Sequence, residues 1–280
     1  GSAKAAVAAR SLRRLAPDVA VAARNAELPA GVGVGELADA AVVLGCLDSR
    51  HARMTLLARC ADAGAPLVDG GTNPWGGEVR LRLSPEESCY GCTLTAQERA
   101  ENDDAERCGA SPYGASIITT TLVAGWMTVA AVRLMLGHEV DWRFLEIATL
   151  TGRTQPFAAR RDPSCPFHGT PIAAEQVAVG SAATVATLLA ALPAGAEPLA
   201  RGMFPVPGSC YHCGGDYTID APAADVIDCP HCGRPVRPDV TQRIRVAPPD
   251  ATLAAIGVAP AEFISVREPD GGYRWLRLAS

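Results

Sequence analysis

Six of the ten cysteines form three Cys-x-x-Cys pairs, a spacing that suits thiolates bound to a metal ion. Two of these pairs enclose fifteen residues, a separation typical of the two knuckles of a zinc ribbon. Four thiolates satisfy tetrahedral Zn²⁺ and leave no open coordination position, so we predict a structural site. The predicted ligands are Cys210, Cys213, Cys229 and Cys232.

The remaining pair, Cys89 and Cys92, needs two further ligands from a distant part of the chain. Cys165 and His168 have the same x-x spacing, and a Cys₃His set is sound zinc chemistry. The 72 residues between the two pairs leave this grouping open. The alternative is a redox Cys-x-x-Cys, which usually opens a helix after a strand, and the Ser-Pro-Glu-Glu segment before Cys89 is unlike such an approach.

Asp48 follows a continuous apolar run, Ala41–Leu47, of the kind found in buried parallel strands. Ligands of open α/β sheets bind at the carboxyl ends of the strands, so this carboxylate could hold Mg²⁺ or orient a phosphate. The alternative is a capping role, in which Asp48 or Ser49 starts a helix that runs to about Leu57.

The elements around Asp48 alternate between helix and strand, which predicts an α/β fold with a Rossmann-like, mostly parallel sheet. A helix is predicted over residues 3–15, and short strands over Val19–Ala22, Pro66–Asp69 and Gly77–Leu83, with a turn at Gly70-Gly71.

A glycine run, Gly31–Gly35, resembles a dinucleotide-binding loop only in part. Glu36 stands where the third glycine would be required, and no strand precedes the run. A plain flexible loop is favoured over a phosphate-binding loop.

Ser116–Leu136 is long and apolar enough for a membrane span, but threonines and Arg133 interrupt it and no basic cluster flanks it. We therefore expect a fully buried helix and no membrane association. An antiparallel hairpin is predicted from Trp142–Thr149 and Thr154–Ala159.

The C-terminal part of the chain divides into three predicted segments. They are a helix and linker over residues 170–205, with the helix at Thr184–Ala191, the zinc ribbon over 206–240, and a small α+β module over 241–280. In that module, two short strands are expected around a helix that begins near Asp250.

The composition is that of a globular protein, with 280 residues, 48% hydrophobic and 20% charged. A net charge of −5 gives no reason to expect a nucleic-acid partner. No signal peptide opens the sequence, so we expect a reducing, cytoplasmic environment. Lys4 is the only lysine among 25 basic residues, and it marks either a need for an ammonium group or chance.

Taken together, these residues resemble the ThiF/MoeB/HesA family, relatives of the ubiquitin-activating enzymes, over residues 1–169. The segments occur in the order and spacing of that family. They are Gly1-x-x-Lys4-Ala, Leu15-x-Pro17-x-Val19-x-Val21, Gly45-Cys-Leu-Asp48-Ser-x-x-x-Arg53, Gly76-Gly-Glu-Val79, Cys89-Tyr-x-Cys92, Cys108-Gly, the helix 114–137 and Asp162-Pro-Ser-Cys165-Pro.

The resemblance implies a partial ThiF-type adenylation domain over residues 1–169. It also implies one structural zinc site formed by Cys89, Cys92, Cys165 and His168, with a histidine where the family usually has a fourth cysteine. Such enzymes use ATP to adenylate the C-terminal glycine of a ubiquitin-like or sulfur-carrier protein.

The same resemblance assigns roles to three further residues. Lys4 would contact the ATP phosphates, and Asp48 would lie beside Mg²⁺ and the triphosphate. Cys108 matches a cysteine that some members use to accept the activated carboxylate as a thioester or acyl disulfide, whereas others do not need it. A homodimer is expected by analogy.

The family's first strand, its Gly-rich phosphate loop and its following helix have no counterpart before Gly1. We therefore expect an N-terminally incomplete fold. The alternative function is a non-catalytic, zinc-stabilised scaffold that binds a partner.

Overall fold

The structure is a computed structural model that describes residues 1–100, 114–219 and 226–280. The chain divides into two compact units. The middle unit is Leu37–Ala173, and the terminal unit combines Gly1–Glu36 with Ala174–Ser280.

The middle unit contains a five-stranded sheet in the order β1-β2-β3-β4-β5. The predicted α/β class is confirmed, and the sheet contains a parallel pair, β1 with β2, whereas its other described pairings are antiparallel. The predicted turn at Gly70-Gly71 is wrong, because both glycines continue β2 and the chain turns at Pro74-Trp75. The strands are β1 (Val43–Gly45), β2 (Leu67–Asn73), β3 (Gly76–Arg82), β4 (Phe144–Ala148) and β5 (Arg153–Phe157).

Helices of the middle unit start at side-chain caps. Ser49 accepts a hydrogen bond from Ala52 N at 3.1 Å, which starts the helix Arg50–Ala63, and Gly64 ends it with φ 69°. Ser116 likewise accepts from Thr119 N at 3.1 Å and starts the helix Ile117–Met135. A shorter helix covers Ala96–Ala100.

The long helix Ile117–Met135 packs against β2 and β3, and it buries only one of its faces. Its length and apolar composition would suffice to cross a membrane, yet only 28% of its most apolar stretch is buried. The prediction of a fully buried helix is therefore wrong, since Ile118, Val132 and Met135 are 64%, 47% and 64% exposed. The shared core of helix and sheet consists of Val68, Val79, Leu81, Val123, Met127, Ala130, Val140, Leu145 and Ile147.

The N-terminal part of the terminal unit is helical and lacks the predicted strand at Val19–Ala22. That segment pairs with no described strand, and the Val21 carbonyl instead accepts hydrogen bonds from the Arg13 guanidinium at 2.6 and 3.1 Å. The helices are numbered along the chain. Those of the N-terminal segment are α1 (Lys4–Leu15), α2 (Leu28–Gly31) and α3 (Val34–Ala38). The three helices described above for the middle unit are α4 (Arg50–Ala63), α5 (Ala96–Ala100) and α6 (Ile117–Met135).

The glycine run Gly31–Gly35 is a packing element and not a flexible loop. A Cβ on Gly33 would lie 1.9 Å from the Pro260 carbonyl oxygen, which is far inside van der Waals contact. Val34 is fully buried, and its N–H donates to the buried Glu262 carboxylate at 3.1 Å. Glycine is required because it lets the two backbone segments approach this closely.

The second five-stranded sheet, in the terminal unit, has the order β12-β7-β13-β14-β6. Segments expected to be a linker within residues 170–205 form β6 and β7, and the helix expected near Asp250 is a 3-10 turn, Ala254–Ile256. The zinc-ribbon strands occur between β7 and β12, so the ribbon is an insertion between two neighbouring strands. The elements are β6 (Glu175–Gly180), α7 (Val185–Ala190), β7 (Glu197–Pro205), β8 (Gly208–Ser209), β9 (Asp216–Tyr217), β10 (Ile227–Asp228), β11 (Pro235–Val236), β12 (Val240–Arg243), β13 (Phe263–Arg267) and β14 (Tyr273–Ala279).

Candidate functional site

The middle unit brings together the four residues proposed as one metal site, which we call the middle-unit cluster: Cys89, Cys92, Cys165 and His168. Cys89 Sγ lies 3.9 Å from Cys92 Sγ and 3.7 Å from Cys165 Sγ, and Cys92 Sγ lies 3.0 Å from His168 Nε2. Zn–S bonds of about 2.3 Å in a tetrahedron would place sulfur atoms about 3.8 Å apart. The sulfur spacing therefore fits a zinc ion.

His168 is oriented by a hydrogen bond on its other ring nitrogen. Nδ1 lies 2.9 Å from the Pro85 carbonyl oxygen, so Nδ1 carries the proton and donates it. The Nε2 lone pair then faces the sulfur atoms, which is the orientation that metal-bound histidines adopt. Burial raises the pKa of the Cys89 thiol, so a bound cation is needed to hold that sulfur as a thiolate at neutral pH.

A buried arginine supplies further support for a charged metal centre. Arg82 is 3% exposed, and its Nε and Nη2 atoms have no hydrogen-bond partner among the described residues. Burial lowers the pKa of Arg82, and the neighbouring Cys89 opposes this shift. Three thiolates on a divalent zinc ion would leave one net negative charge. That charge would compensate the positive charge of the Arg82 guanidinium.

The terminal unit holds the ribbon cluster, which consists of Cys210, Cys213, Cys229 and Cys232. Cys210 Sγ lies 3.8 Å from Cys232 Sγ, and Cys213 Sγ lies 3.8 Å from Cys229 Sγ. All four predicted ligands lie together, and the distances between their sulfur atoms also fit tetrahedral zinc.

The ribbon cluster is supported by its own backbone. The N–H groups of His212 and His231 donate to Cys210 Sγ and Cys229 Sγ, each at 3.4 Å. Burial raises the pKa of the Cys229 thiol, but hydrogen bonds from the backbone N–H groups of Cys232 and His231 and from the Cys210 and Cys232 side chains outweigh this effect and lower the pKa to about 6. The His231 ring contacts the Asp216 carbonyl at 2.9 Å instead of the sulfur atoms.

A polar cavity of about 260 Å³ lies at the carboxyl ends of β1 and β2, and we call it the Asp48 pocket. Asp48 is exposed at its rim. Ser49, and not Asp48, caps α4, so the Asp48 carboxylate is not used as the helix cap. The lining residues are Asp48, Ser49, Arg50, Arg53, Gly71, Thr72, Asn73, Gly77, Glu78, Arg80 and Tyr90.

Arg53 is a functional candidate that belongs to one of the family motifs but had no predicted role. Its Nη1 donates to both Asp69 carboxylate oxygens, at 2.7 and 2.9 Å, and to the Gly70 carbonyl at 2.6 Å, while Nη2 donates to the Leu47 carbonyl. Arg80 adds a second cation at 3.3 Å from Asp69 Oδ2. The register of the two strands places Asp69 opposite Arg80. This ion pair could be predicted from the sequence only by aligning β2 and β3 antiparallel in the correct register.

Lys4 and Cys108 complete the set of residues predicted for the site. Lys4 is the first residue of α1 and is exposed in the terminal unit, whereas Asp48 belongs to the middle unit. Cys108 lies outside the described residues.

The middle unit is thus an α/β fold that carries a polar pocket at its parallel strand ends and a Cys₃His cluster whose geometry suits a metal ion. The ThiF family profile matches residues 1–167, and the chain belongs to the ThiF family. The resemblance derived from the sequence is thereby confirmed.

The chain is similar to the sulfur carrier protein ThiS adenylyltransferase of Escherichia coli (strain K12), with 26% identity over 174 residues. The match covers 59% of this chain and 64% of that relative. Among solved structures, E. coli MccB with ATP shares 13% identity at a TM-score of 0.44, over 60% of this chain and 51% of that one. MccB with MccA-N7isoASN shares 13% identity at a TM-score of 0.47, over 61% and 53%.

Proposed function

We propose that this chain takes part in the ATP-dependent adenylation of the C-terminal glycine of a ubiquitin-like or sulfur-carrier protein. The observation that carries the proposal is the exposed Asp48 at the pocket rim, in a chain that belongs to the ThiF family. The ThiS adenylyltransferase relative supports the choice of partner, a small carrier protein.

The proposed reaction is a substitution at the ATP α-phosphorus. A carboxylate oxygen of the carrier forms a bond to phosphorus, the bond to the bridging oxygen of the β-phosphate breaks, and pyrophosphate leaves. Asp48 would hold Mg²⁺, which neutralises phosphate charge, and Lys4 would contribute its ammonium group to the same task. Arg53 would keep the backbone next to Asp48 in place through the Leu47 carbonyl.

The two clusters would each hold one structural zinc ion, because four protein ligands leave no coordination position for a substrate. We further propose a cytoplasmic homodimer that binds neither nucleic acid nor membrane. Metal analysis and light scattering would test the zinc stoichiometry and the dimer.

The proposal predicts that Asp48→Asn lowers ATP–pyrophosphate exchange by about 100-fold or more, because Mg²⁺, which would neutralise the phosphate charge in the transition state, loses a carboxylate ligand. The exchange is measured with the candidate carrier protein present. Lys4→Ala should cause a comparable loss. Asp141→Asn, which removes an exposed carboxylate elsewhere in the middle unit, is the control. Exchange at the wild-type rate in Asp48→Asn would show that the nucleotide assignment is wrong.

A later acyl transfer to Cys108 is the finer part of the proposal. The Cys108 thiolate would attack the acyl adenylate, form a thioester and release AMP. Cys108→Ala should then keep the exchange reaction and lose only the thioester, which is detected by mass spectrometry.

The second candidate is a scaffold that binds a partner without catalysis. It is favoured by the closed ligand sets of both clusters, which are suited to holding a fold together. Carrier binding without any exchange, under the conditions above, would support the scaffold.

A further inference from the structure

We propose that Tyr90 and Arg80 are positioning residues that couple the middle-unit cluster to the Asp48 pocket. They connect the middle-unit cluster to the pocket through the backbone of Tyr90 and through contacts between side chains. The inference goes beyond the proposed adenylation, because it concerns how metal binding and the shape of the pocket depend on each other.

Tyr90 is held by the backbone of the middle-unit cluster. It lies between Cys89 and Cys92 in the 3-10 turn Tyr90–Thr93, and the Cys92 N–H donates to the Cys89 carbonyl at 2.9 Å. A metal ion bound by both sulfur atoms would fix the backbone on both sides of Tyr90. The direction of its half-buried ring therefore depends on the middle-unit cluster.

The Tyr90 ring contacts the guanidinium of Arg80. The guanidinium carbon of Arg80 lies 4.2 Å from the centre of the Tyr90 ring, which is the geometry of a cation–π interaction. The edges of the same guanidinium are held by Glu78 Oε2, at 2.7 and 2.9 Å, and by Asp69 Oδ2 at 3.3 Å. Arg80 is therefore fixed by a ring on one face and by carboxylates at its edges.

Further contacts connect Arg80 to the backbone beside Asp48. Asp69, which is 4% exposed, also accepts hydrogen bonds from Arg53 Nη1 at both of its carboxylate oxygens. Arg53 in turn holds the carbonyl of Leu47, the residue before Asp48. A continuous series of contacts thus runs from the middle-unit cluster to the rim of the pocket.

The ribbon cluster provides an internal comparison. Tyr211 follows Cys210 just as Tyr90 follows Cys89, yet Tyr211 is 69% exposed. Its ring packs on the neighbouring His212, and its hydroxyl donates to the Pro235 carbonyl at 3.2 Å. A tyrosine in a knuckle thus does not by itself contact a pocket arginine, and the Tyr90–Arg80 contact is specific to the middle unit.

Coupling of this kind is reciprocal, so Tyr90 and Arg80, the pocket residues that connect to the middle-unit cluster, must influence the retention of metal. Loss of the Tyr90 ring and loss of the Arg80 guanidinium each remove one partner of the same contact. Either change should loosen the middle-unit cluster and leave the ribbon cluster unaffected.

The test measures zinc release from the zinc-loaded full chain to a chromogenic chelator. Alkylation of the freed cysteines, followed by peptide mass spectrometry, assigns each zinc to its cluster. We expect Tyr90→Leu and Arg80→Gln each to release the middle-unit zinc about fivefold faster, the size expected for a partly buried cation–π contact. The double variant should be no faster than the faster single variant.

Three matched variants exclude simpler explanations. Tyr90→Phe keeps the aromatic face and should release zinc at the wild-type rate, while Arg50→Gln removes a cation that lines the same pocket and should leave the rate unchanged. Tyr211→Leu should likewise leave the middle-unit zinc unaffected.

Wild-type release from both Tyr90→Leu and Arg80→Gln would overturn the inference, as would multiplying effects in the double variant. Neither ATP nor a carrier protein is present in this measurement. The zinc-release result would therefore remain interpretable even if the proposed adenylation were wrong.

Discussion

At the scale of single residues, the buried carboxylate of Asp69 organises the polar pocket. Its side chain is 6% exposed, and it pairs with two arginines whose side chains are 13% and 15% exposed. Charges buried to this degree are tolerated only when they compensate each other. Arg53 and Arg80 therefore depend on Asp69 for their placement at the pocket.

Replacing Asp69 by Asn should destabilise the protein by about 3 kcal/mol, because both guanidinium groups lose their shared counter-charge. Urea unfolding followed by circular dichroism measures this change. Glu146→Gln, at an exposed position in β4 where the native carboxylate accepts a hydrogen bond from Gln155, is the control and should change the free energy of unfolding by less than about 0.5 kcal/mol. A loss equal to that of the control would contradict this account of Asp69.

At the scale of elements, the packing of α6 on the sheet depends on a glycine within β2. A Cβ on Gly70 would lie 2.2 Å from Met127 Sδ and 2.9 Å from Val123 Cγ1, both on α6. The absence of a side chain at Gly70 therefore lets helix and strand approach each other. This explains why a glycine pair that is typical of turns occurs in a strand.

Gly70→Ala should cost about 1–3 kcal/mol, since the added methyl group forces the helix or the Met127 side chain to move. The matched control is Gly125→Ala within α6, where a Cβ meets nothing within 4 Å. That change should be neutral or stabilise the helix by up to about 1 kcal/mol. Thermal unfolding of both variants measures the difference, and equal melting temperatures would contradict the packing argument.

At the scale of the whole molecule, the described residues of each unit contain one cysteine-rich cluster. The middle-unit cluster joins the chain after β3 to the chain after β5, and the ribbon cluster closes the insertion between β7 and β12. Metal binding would therefore stabilise each unit through its own long loop.

His168→Ala should reduce the zinc content from two ions to one per chain and lower the unfolding temperature of the middle unit. His168→Cys should retain both ions, because zinc accepts either ligand. Cys213→Ser should also remove one zinc, but from the ribbon alone. Metal analysis by mass spectrometry, combined with calorimetry, distinguishes these cases. Two ions retained in His168→Ala would show that His168 is not a ligand.

The sequence by itself predicted the α/β class, the family, the main helices and the residues of both clusters. These features depend on local patterns, since an x-x spacing places two ligands on one turn and a serine cap starts a helix within a few residues. The two pairs of the middle-unit cluster were joined only through the family resemblance, because local spacing carries no information on contacts between distant segments.

Only the tertiary structure decided the antiparallel direction of β3 against β2 and β4, the packing role of Gly33 and Gly70, the partial exposure of α6 and the insertion of the ribbon into a sheet. It also revealed the Asp69 network and the contact between Tyr90 and Arg80. Each of these depends on which residues meet across long separations in the chain. Burial and strand pairing set those contacts, and the spacing of residues within a single segment does not encode them.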